Sequence, residues 1–301
     1  MTEPMPALSI VAMPGRRRRT IELCQEAERR GFSGIYSPSP MGNLSMCEAL
    51  AWQTGKIAFA TSIVPIYQRT MVDFAQSAAM IHEVSAGRFS LGIGIAHGPS
   101  YVRMGVTPGK PLADTRAFIQ KFRAETSFGP LPPIIVAALR KKMVALAGEL
   151  AEGVVFANVC RSHMAESLSG LPAAKRKDGF FIGNMIPTCI SDDVAAAKEV
   201  NRRTLTRYAS LPNYRNYWKE AGYVEEMTAI EKALAEGRGD DVPKYLTDKW
   251  LADNTLFGPA ARVREGVAAW RAAGVHTPIL VPTSASGNQM TAIDEMFAAF
   301  S

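Results

Sequence analysis

Residues 85–98 read Ser-Ala-Gly-Arg-Phe-Ser-Leu-Gly-Ile-Gly-Ile-Ala-His-Gly. The middle of this stretch is apolar and is bounded by turn-forming residues, a pattern that predicts a buried strand over residues 89–96. Gly92 and Gly94 alternate along that strand, where the missing side chains let another group approach the backbone closely. His97 falls at the predicted strand end.

Seven further short apolar segments, each flanked by turn residues, predict buried strands. They cover residues 8–13, 34–37, 57–65, 133–139, 154–159, 180–187 and 278–282. Helical spacing appears between them, as in residues 20–30, where Leu23, Cys24 and Ala27 share one face. This alternation predicts an α/β fold with parallel strands and right-handed crossovers. Eight such units fit a closed (β/α)8 TIM barrel better than an open doubly wound sheet.

The seventh and eighth predicted strands are separated by residues 191–276, far more than one crossover helix needs. We therefore expect a multi-helix insertion after strand 7, within a single domain that spans residues 1–301. Residues 208–223 of the insertion contain five aromatic side chains. These aromatics either wall a substrate pocket at the carboxyl end of the barrel or seal the extra helices onto the barrel or an oligomer interface.

The composition is that of a globular protein, with 47% hydrophobic and 21% charged residues in a chain of 301. No uncharged stretch is long enough to cross a bilayer, and the first apolar run precedes the basic cluster at residues 16–19, the reverse of a secretory signal. We therefore expect a cytoplasmic protein without a membrane anchor. The four cysteines and four histidines show no metal-ligand spacing, so neither zinc nor disulfides are expected.

The formal net charge is +6, and part of the excess is local. Residues 16–19 are four consecutive arginines, and residues 140–142 are Arg-Lys-Lys. The first cluster opens a predicted helix, where positive charge opposes the helix dipole, so it is either a solvated surface or a place for an anionic ligand. Nucleic-acid binding is disfavoured because a four-residue run without interleaved aromatics makes few phosphate contacts.

Common nucleotide and hydrolase motifs are missing from the sequence. Gly92 and Gly94 lie inside a strand, whereas a dinucleotide-binding fingerprint needs glycines in the turn that follows one, and no P-loop or Gly-x-Ser-x-Gly occurs. Several segments in order instead resemble the bacterial luciferase-like superfamily, and more closely its branch dependent on the deazaflavin coenzyme F420. The resemblance covers nearly the whole chain and rests on residues 31–32, 61–65, 76, 85–94, 137–139, 146–153 and 211–215.

The resemblance implies a barrel that holds a flat tricyclic ring at the carboxyl ends of its strands. It also implies a non-prolyl cis peptide bulging from the third strand, which by position is Ser62–Ile63. Ser62, Ile63 and Val64 would support the ring, and Ser39 would hydrogen-bond its edge. Many relatives carry an Asp-His pair after strand two, and because Ser39 and Pro40 stand there, His97 becomes the candidate catalytic proton donor.

The resemblance further places the cofactor phosphate and acidic tail near the start of the helix after the fifth strand. Helix N–H groups favour an anion there. The corresponding residues are Ala138, Leu139, Arg140 and Lys141. Relatives commonly have glycine after the alanine-rich run, so Arg140 and Lys141 add charge where glycine would permit close backbone approach.

The leading hypothesis is an oxidoreductase that transfers a hydride between coenzyme F420 and the C=C, C=O or C=N bond of a small organic substrate. One alternative is a monooxygenase of similar fold that uses FMN and molecular oxygen. Another is a barrel that binds no redox cofactor and acts as a ligand-binding protein. The resemblance also suggests a homodimer.

Overall fold

A computed structural model of the protein describes residues 4–39, 41–176 and 179–300. The strands are β1 (Ala7–Ser9), β2 (Gly34–Ser37), β3 (Ala58–Thr61), β4 (Val64–Pro65), β5 (Phe89–Gly94), β6 (Ile134–Ala137), β7 (Gly153–Ala157), β8 (Phe181–Ile190), β9 (Leu256–Gly258) and β10 (Thr277–Thr283). The helices are α1 (Arg17–Arg29), α2 (Asn43–Gln53), α3 (Met71–Val84), α4 (Gly98–Met104), α5 (Pro111–Ala124), α6 (Lys141–Leu150), α7 (Met164–Leu168), α8 (Val194–Ala209), α9 (Pro212–Glu220), α10 (Val224–Ala235), α11 (Val242–Tyr245), α12 (Asp248–Asn254), α13 (Ala260–Ala272) and α14 (Gln289–Ala299).

The strands form one parallel sheet that closes on itself. In the described part of the chain, eight strands follow one another around the ring in the order β10, β1, β2, β3, β5, β6, β7 and β8. The ring closes through β8 and β10, whose register runs from Thr277 opposite Gly183 to Thr283 opposite Cys189. The predicted (β/α)8 TIM barrel is therefore confirmed.

Several predicted strand boundaries need correction, and the strands predicted over residues 89–96, 133–139 and 154–159 end at Gly94, Ala137 and Ala157. The first strand ends at Ser9 and does not continue to residue 13, because Ile10 N–H still bonds the Tyr36 carbonyl of β2 but residues 11–13 turn towards α1. The third predicted strand, residues 57–65, is divided into β3 and β4 by the Ser62–Ile63 peptide, which is cis as expected. β8 runs on to Ile190, three residues beyond the predicted end.

Residues 191–276 contain the expected helices, α8 to α13, but they also contain a strand that the sequence did not predict. β9 is three residues long and pairs with the end of β8, with Leu256 opposite Thr188. Its short length gave no periodic signal. Side-chain caps start two of the insertion's helices, Asp193 at α8 and Thr247 at α12. No helix among the described residues has both the length and the apolar character needed to cross a membrane.

The barrel separates two hydrophobic cores. The larger core lies between strands and helices, and the smaller one fills the barrel interior. Tyr36 and Phe181 stack within the interior, with ring centroids 5.4 Å apart. The other interior side chains that are fully buried come from β1, β3, β6, β7 and β10: Ala7, Ala60, Ile135, Val155 and Ile279.

The end of the barrel at the amino termini of the strands is held by two charged side chains with many backbone partners. The Arg88 guanidinium donates to the carbonyls of Ala51, Thr54 and Ile57. Glu28 accepts hydrogen bonds from the backbone N–H groups of residues 55–57 at 2.6–3.1 Å. These bonds fix the loop between α2 and β3 to α1 and to the segment before β5, at the end opposite the carboxyl ends of the strands.

Candidate functional site

The carboxyl end of the barrel interior, which we call the cup, is lined by side chains that are not fully covered. Ile63, Ala137 and Met185 are only partly buried there, whereas Tyr36, Ala60 and Val155 below them are buried. Ser62 donates a hydrogen bond from Oγ to the Met185 sulfur at 3.0 Å. Sulfur is a weak acceptor, so this hydroxyl is readily available to a ligand in the cup.

The bulge that carries Ser62 and Ile63 needs the two glycines of β5. A Cβ at Gly92 would lie 1.8 Å from the Thr61 carbonyl oxygen, and a Cβ at Gly94 would lie 2.9 Å from Cγ1 of Ile63. The expectation of close approach at these glycines is therefore confirmed. Gly94 leaves the space that the Ile63 side chain occupies on the cup floor.

Asn43, at the start of α2, fixes the bulge and was missed by sequence reasoning. Its side-chain amide donates to the carbonyl of Ile63 at 3.1 Å and to that of Ser37 at 3.3 Å, while its oxygen accepts from Leu44 N–H. Ser62 N–H also donates to the Ser37 carbonyl, at 2.7 Å. Both residues of the cis peptide are thus tied to the end of β2. An isolated asparagine near a helix start gives no sequence signal for this role.

His97 lies at the rim of the cup, as the residue that precedes α4. Its ring is 5.7 Å from the ring of Tyr214, at an angle of 55°. Half-burial lowers the pKa of His97 below its ordinary value because desolvation disfavours the charged form. At neutral pH the imidazole is therefore uncharged and carries one N–H donor.

The aromatic segment of the insertion seals the rim beside β7. Trp218 donates to the Asn158 carbonyl at 3.0 Å, and the Tyr217 hydroxyl accepts from Cys160 N–H at 3.1 Å. Tyr214 packs on Trp218 and is buried, which raises the pKa of its phenol. Most of these aromatics therefore hold the helices on the barrel, while Tyr214 also reaches the rim at His97.

The remaining candidate cofactor residues differ in their surroundings. Val64 and Ala138 are buried in the outer core, so their side chains do not face the cup. Leu139 packs partly against the same core. Ser39 is half-buried, and within the described residues its hydroxyl makes no hydrogen bond.

Arg140 and Lys141 lie at the start of α6, both exposed. Arg140 forms an ion pair with Glu220 at the end of α9, and Lys141 forms one with Glu166 of α7. The carboxylates come from elements 80 and 25 residues away in sequence, so the pairs had no local signal. Exposed pairs of this kind contribute about 0–1 kcal/mol, and an incoming phosphate can replace the carboxylates.

A second cleft, of about 550 Å³, lies at the opposite end of the barrel. Its lining comes mainly from the end of α5 and the loop before β6, with His82 from α3 and Glu152 from the loop before β7. Glu152 is engaged by Arg123 and by Ile134 N–H. The bulge, the glycines and His97 all belong to the other end, so the cup is the candidate site.

Comparison with known proteins places the chain in a family of (β/α)8 barrels. The sequence pattern of the family described as luciferase-like monooxygenase matches residues 5–277, and the chain belongs to this family. The protein Rv3520c of Mycobacterium tuberculosis, named as a coenzyme F420-dependent oxidoreductase, is 27% identical over 89% of this chain and 91% of its own length.

Solved structures confirm the fold. The coenzyme F420-dependent tetrahydromethanopterin reductase of Methanopyrus kandleri superposes with a TM-score of 0.75, at 16% identity over 97% of each chain. A type II Baeyer-Villiger monooxygenase of Pseudomonas putida, in complex with FMN, has a TM-score of 0.60, at 16% identity over 92% of this chain and 91% of its own. The same barrel thus occurs with both cofactors.

Proposed function

We propose that this protein is an oxidoreductase that uses coenzyme F420 to transfer a hydride to or from a C=C, C=O or C=N bond of a small organic substrate. The main observation behind this proposal is the cup. Its floor is the Ser62–Ile63 bulge, for which Gly94 leaves space and whose Ile63 carbonyl accepts a hydrogen bond from Asn43. When bound there, the deazaflavin supplies or accepts the hydride.

The chain's own residues fit such a ligand. Ile63 offers an apolar surface for a flat ring, and the Ser62 hydroxyl, held only by a thioether, is available to its polar edge. Arg140 and Lys141 would exchange Glu220 and Glu166 for the phosphate, and the free N–H groups of the first turn of α6 favour an anion.

His97 would hold and deliver the proton that accompanies the hydride. Its position on the rim, between the β5 strand end and the buried Tyr214, places the imidazole beside the cup. Because burial lowers the pKa of His97, the ring is neutral near pH 7 and offers a single N–H to the substrate oxygen or nitrogen. Replacing His97 with Ala is expected to slow turnover while leaving cofactor affinity nearly unchanged, and undiminished turnover would reject the role.

The decisive experiment is a fluorescence titration of the purified protein with F420 and, in parallel, with FMN at low and high salt. We expect tight F420 binding that weakens with salt, because the acidic tail meets Arg140 and Lys141. The matched Arg140→Gln variant should lose much of the salt dependence. Preference for FMN would instead support the second candidate, an FMN-dependent monooxygenase. The family description and the similar fold of the FMN-bound Pseudomonas putida monooxygenase favour that candidate. Binding of neither cofactor would leave a ligand-binding barrel.

We also propose that the protein forms a homodimer through α2 and α3. Three large apolar side chains on these adjacent helices are strongly exposed: Trp52 at 63%, Val72 at 48% and Met80 at 51%. Covering such side chains with a second copy removes apolar surface from water. Light scattering should give twice the 32.6 kDa chain mass and a monomer for Met80→Glu, with Val224→Glu on α10 as control. A monomeric wild-type protein would overturn the proposal.

A further inference from the structure

The arginine cluster at residues 16–19 lies where the chain leaves β1 at the carboxyl end of the barrel. Arg16 precedes α1, and the first turn of α1 contains no acidic residue. Arg19 pairs with Glu22, whereas the side chains of Arg16, Arg17 and Arg18 are exposed and engage no other described residue. Three unpaired guanidinium groups beside a helix start concentrate positive potential at the rim.

This cluster is on the far side of the cup from the proposed phosphate position. Around the closed ring, four steps separate β1 from β6 in either direction, through β2, β3 and β5 or through β10, β8 and β7. Arg140 and Lys141 follow β6, so they and the arginine cluster lie diametrically opposite. A single cofactor phosphate cannot occupy both positions, which leaves residues 16–18 for a different anionic group.

Two further features of the carboxyl end of the barrel bear on a ligand, one in the interior beneath the cup and one on the segments around its rim. The hydroxyl of Ser9, the last residue of β1, is buried and has no hydrogen-bond partner among the described residues. Because Ala7 packs in the barrel interior and strand side chains alternate, Ser9 faces the interior below the rim. Large apolar side chains are also exposed on the segments that follow β1, β2 and β5: Met13 at 39% and Met41 at 42% on loops, and Val102 at 84% in α4.

We infer that the substrate of this protein is an amphipathic anion. Its apolar body lies along Met13, Met41 and Val102 and over the cup, and its carboxylate or equivalent anionic group is bound by Arg16, Arg17 and Arg18. The turn joining the two parts is short, since Arg16 N–H donates to the Met13 carbonyl at 3.0 Å. The inference that this ligand is the substrate rests on the proposed function, whereas its binding can be measured without the cofactor.

The test compares octanoate, octan-1-ol and octylammonium by isothermal titration calorimetry on the cofactor-free protein. We expect octanoate to bind roughly tenfold more tightly than octan-1-ol, a difference of the size that charge complementarity supplies, and octylammonium to bind most weakly. The R16Q/R17Q/R18Q variant should remove the preference for octanoate. The K56Q/K121Q/K232Q variant loses the same charge at exposed lysines away from the rim and should keep it.

Two additional measurements determine whether the arginines bind the cofactor tail or a lipid surface instead of a substrate anion. F420 titration of R16Q/R17Q/R18Q should give the wild-type affinity, and a large loss would show that these arginines bind the cofactor tail, which would overturn the inference. Equal affinity of wild-type protein for octanoate and octan-1-ol would also overturn it. So would arginine-dependent binding to phosphatidylglycerol vesicles without any preference for octanoate. If octanoate is preferred but F420 does not bind, the anion site stands and the proposed cofactor use fails.

Discussion

Replacing Gly92 with Ala should disrupt the junction between β5 and the bulge of the third strand. The new Cβ would lie 1.8 Å from the Thr61 carbonyl oxygen, whereas real Cβ atoms essentially never come closer than 3.0 Å. One of the two backbones must therefore move by more than 1 Å. Thr61 cannot withdraw freely, because its hydroxyl donates to the Gly92 carbonyl at 2.7 Å.

Overpacking a core costs about 1–3 kcal/mol, and the backbone clash at Gly92 places this variant at about 3 kcal/mol or more. For a chain of this size, that loss corresponds to a fall in melting temperature of about 5 °C. Thermal unfolding followed by circular dichroism measures it. Gly55→Ala is the matched control, since no atom lies within 4 Å of its added Cβ and it should melt like wild type.

Gly94→Ala distinguishes the site from the fold. Its Cβ would meet Cγ1 of Ile63 at 2.9 Å and the Ala137 Cβ at 3.0 Å, contacts that a shift of the Ile63 side chain relieves. We expect a smaller loss of stability than for Gly92→Ala and a clear loss of F420 affinity, because the cup floor moves. If Gly92→Ala melted within 2 °C of wild type, the close approach inferred between β3 and β5 would be refuted.

Three further changes test the site. Asn43→Asp replaces a donor with a carboxylate beside the Ile63 and Ser37 carbonyls, so it should lower the free energy of unfolding by about 3 kcal/mol at pH 8. The loss should be smaller at pH 5, where the protonated acid can donate again, and urea unfolding at the two pH values measures the difference. The pKa of His97 is lowered in the folded protein, so the unfolded chain binds the proton more readily and wild type should lose stability as pH falls below about 6.5. His97→Gln should remove this loss. Equal melting temperatures of wild type and variant at every pH from 7 to 5 would contradict it. Tyr217→Phe removes the acceptor of the buried Cys160 N–H and should lower the free energy of unfolding, measured in urea, by about 1–3 kcal/mol. An unchanged value would show that water replaces the hydroxyl.

The barrel was predictable because buried strands and amphipathic helices leave periodic patterns within short windows of sequence. Gly92 and Gly94 were predictable for the same reason, since both lie inside one apolar strand. The residues that complete the cup were not. Asn43 reaches the Ile63 carbonyl across 20 residues, and Arg140 meets Glu220 across 80. Such pairings depend on which loops the closed ring brings together, which no local pattern encodes.

β9 and the aromatic segment show the same limit within the insertion. Three residues of strand, Leu256–Gly258, are too few for a periodic signal and form only because the end of β8 offers free backbone groups. Trp218 finds the Asn158 carbonyl 60 residues away. The sequence could identify aromatic content there, but not which side chains would face the cup.

The bonds of Arg88 and Glu28 at the amino-terminal end of the barrel have a consequence for how this protein can acquire new activities. They hold the loops that stabilise the ring at the end away from the cup, so the rim loops contribute little to that anchoring. We therefore expect that exposed side chains of the rim, such as Arg17, Arg18 and Val102, can be varied in a library with most members still folded. The protein is therefore a practical starting point for directed evolution, because its substrate preference can change while the barrel and its amino-terminal hydrogen bonds stay the same.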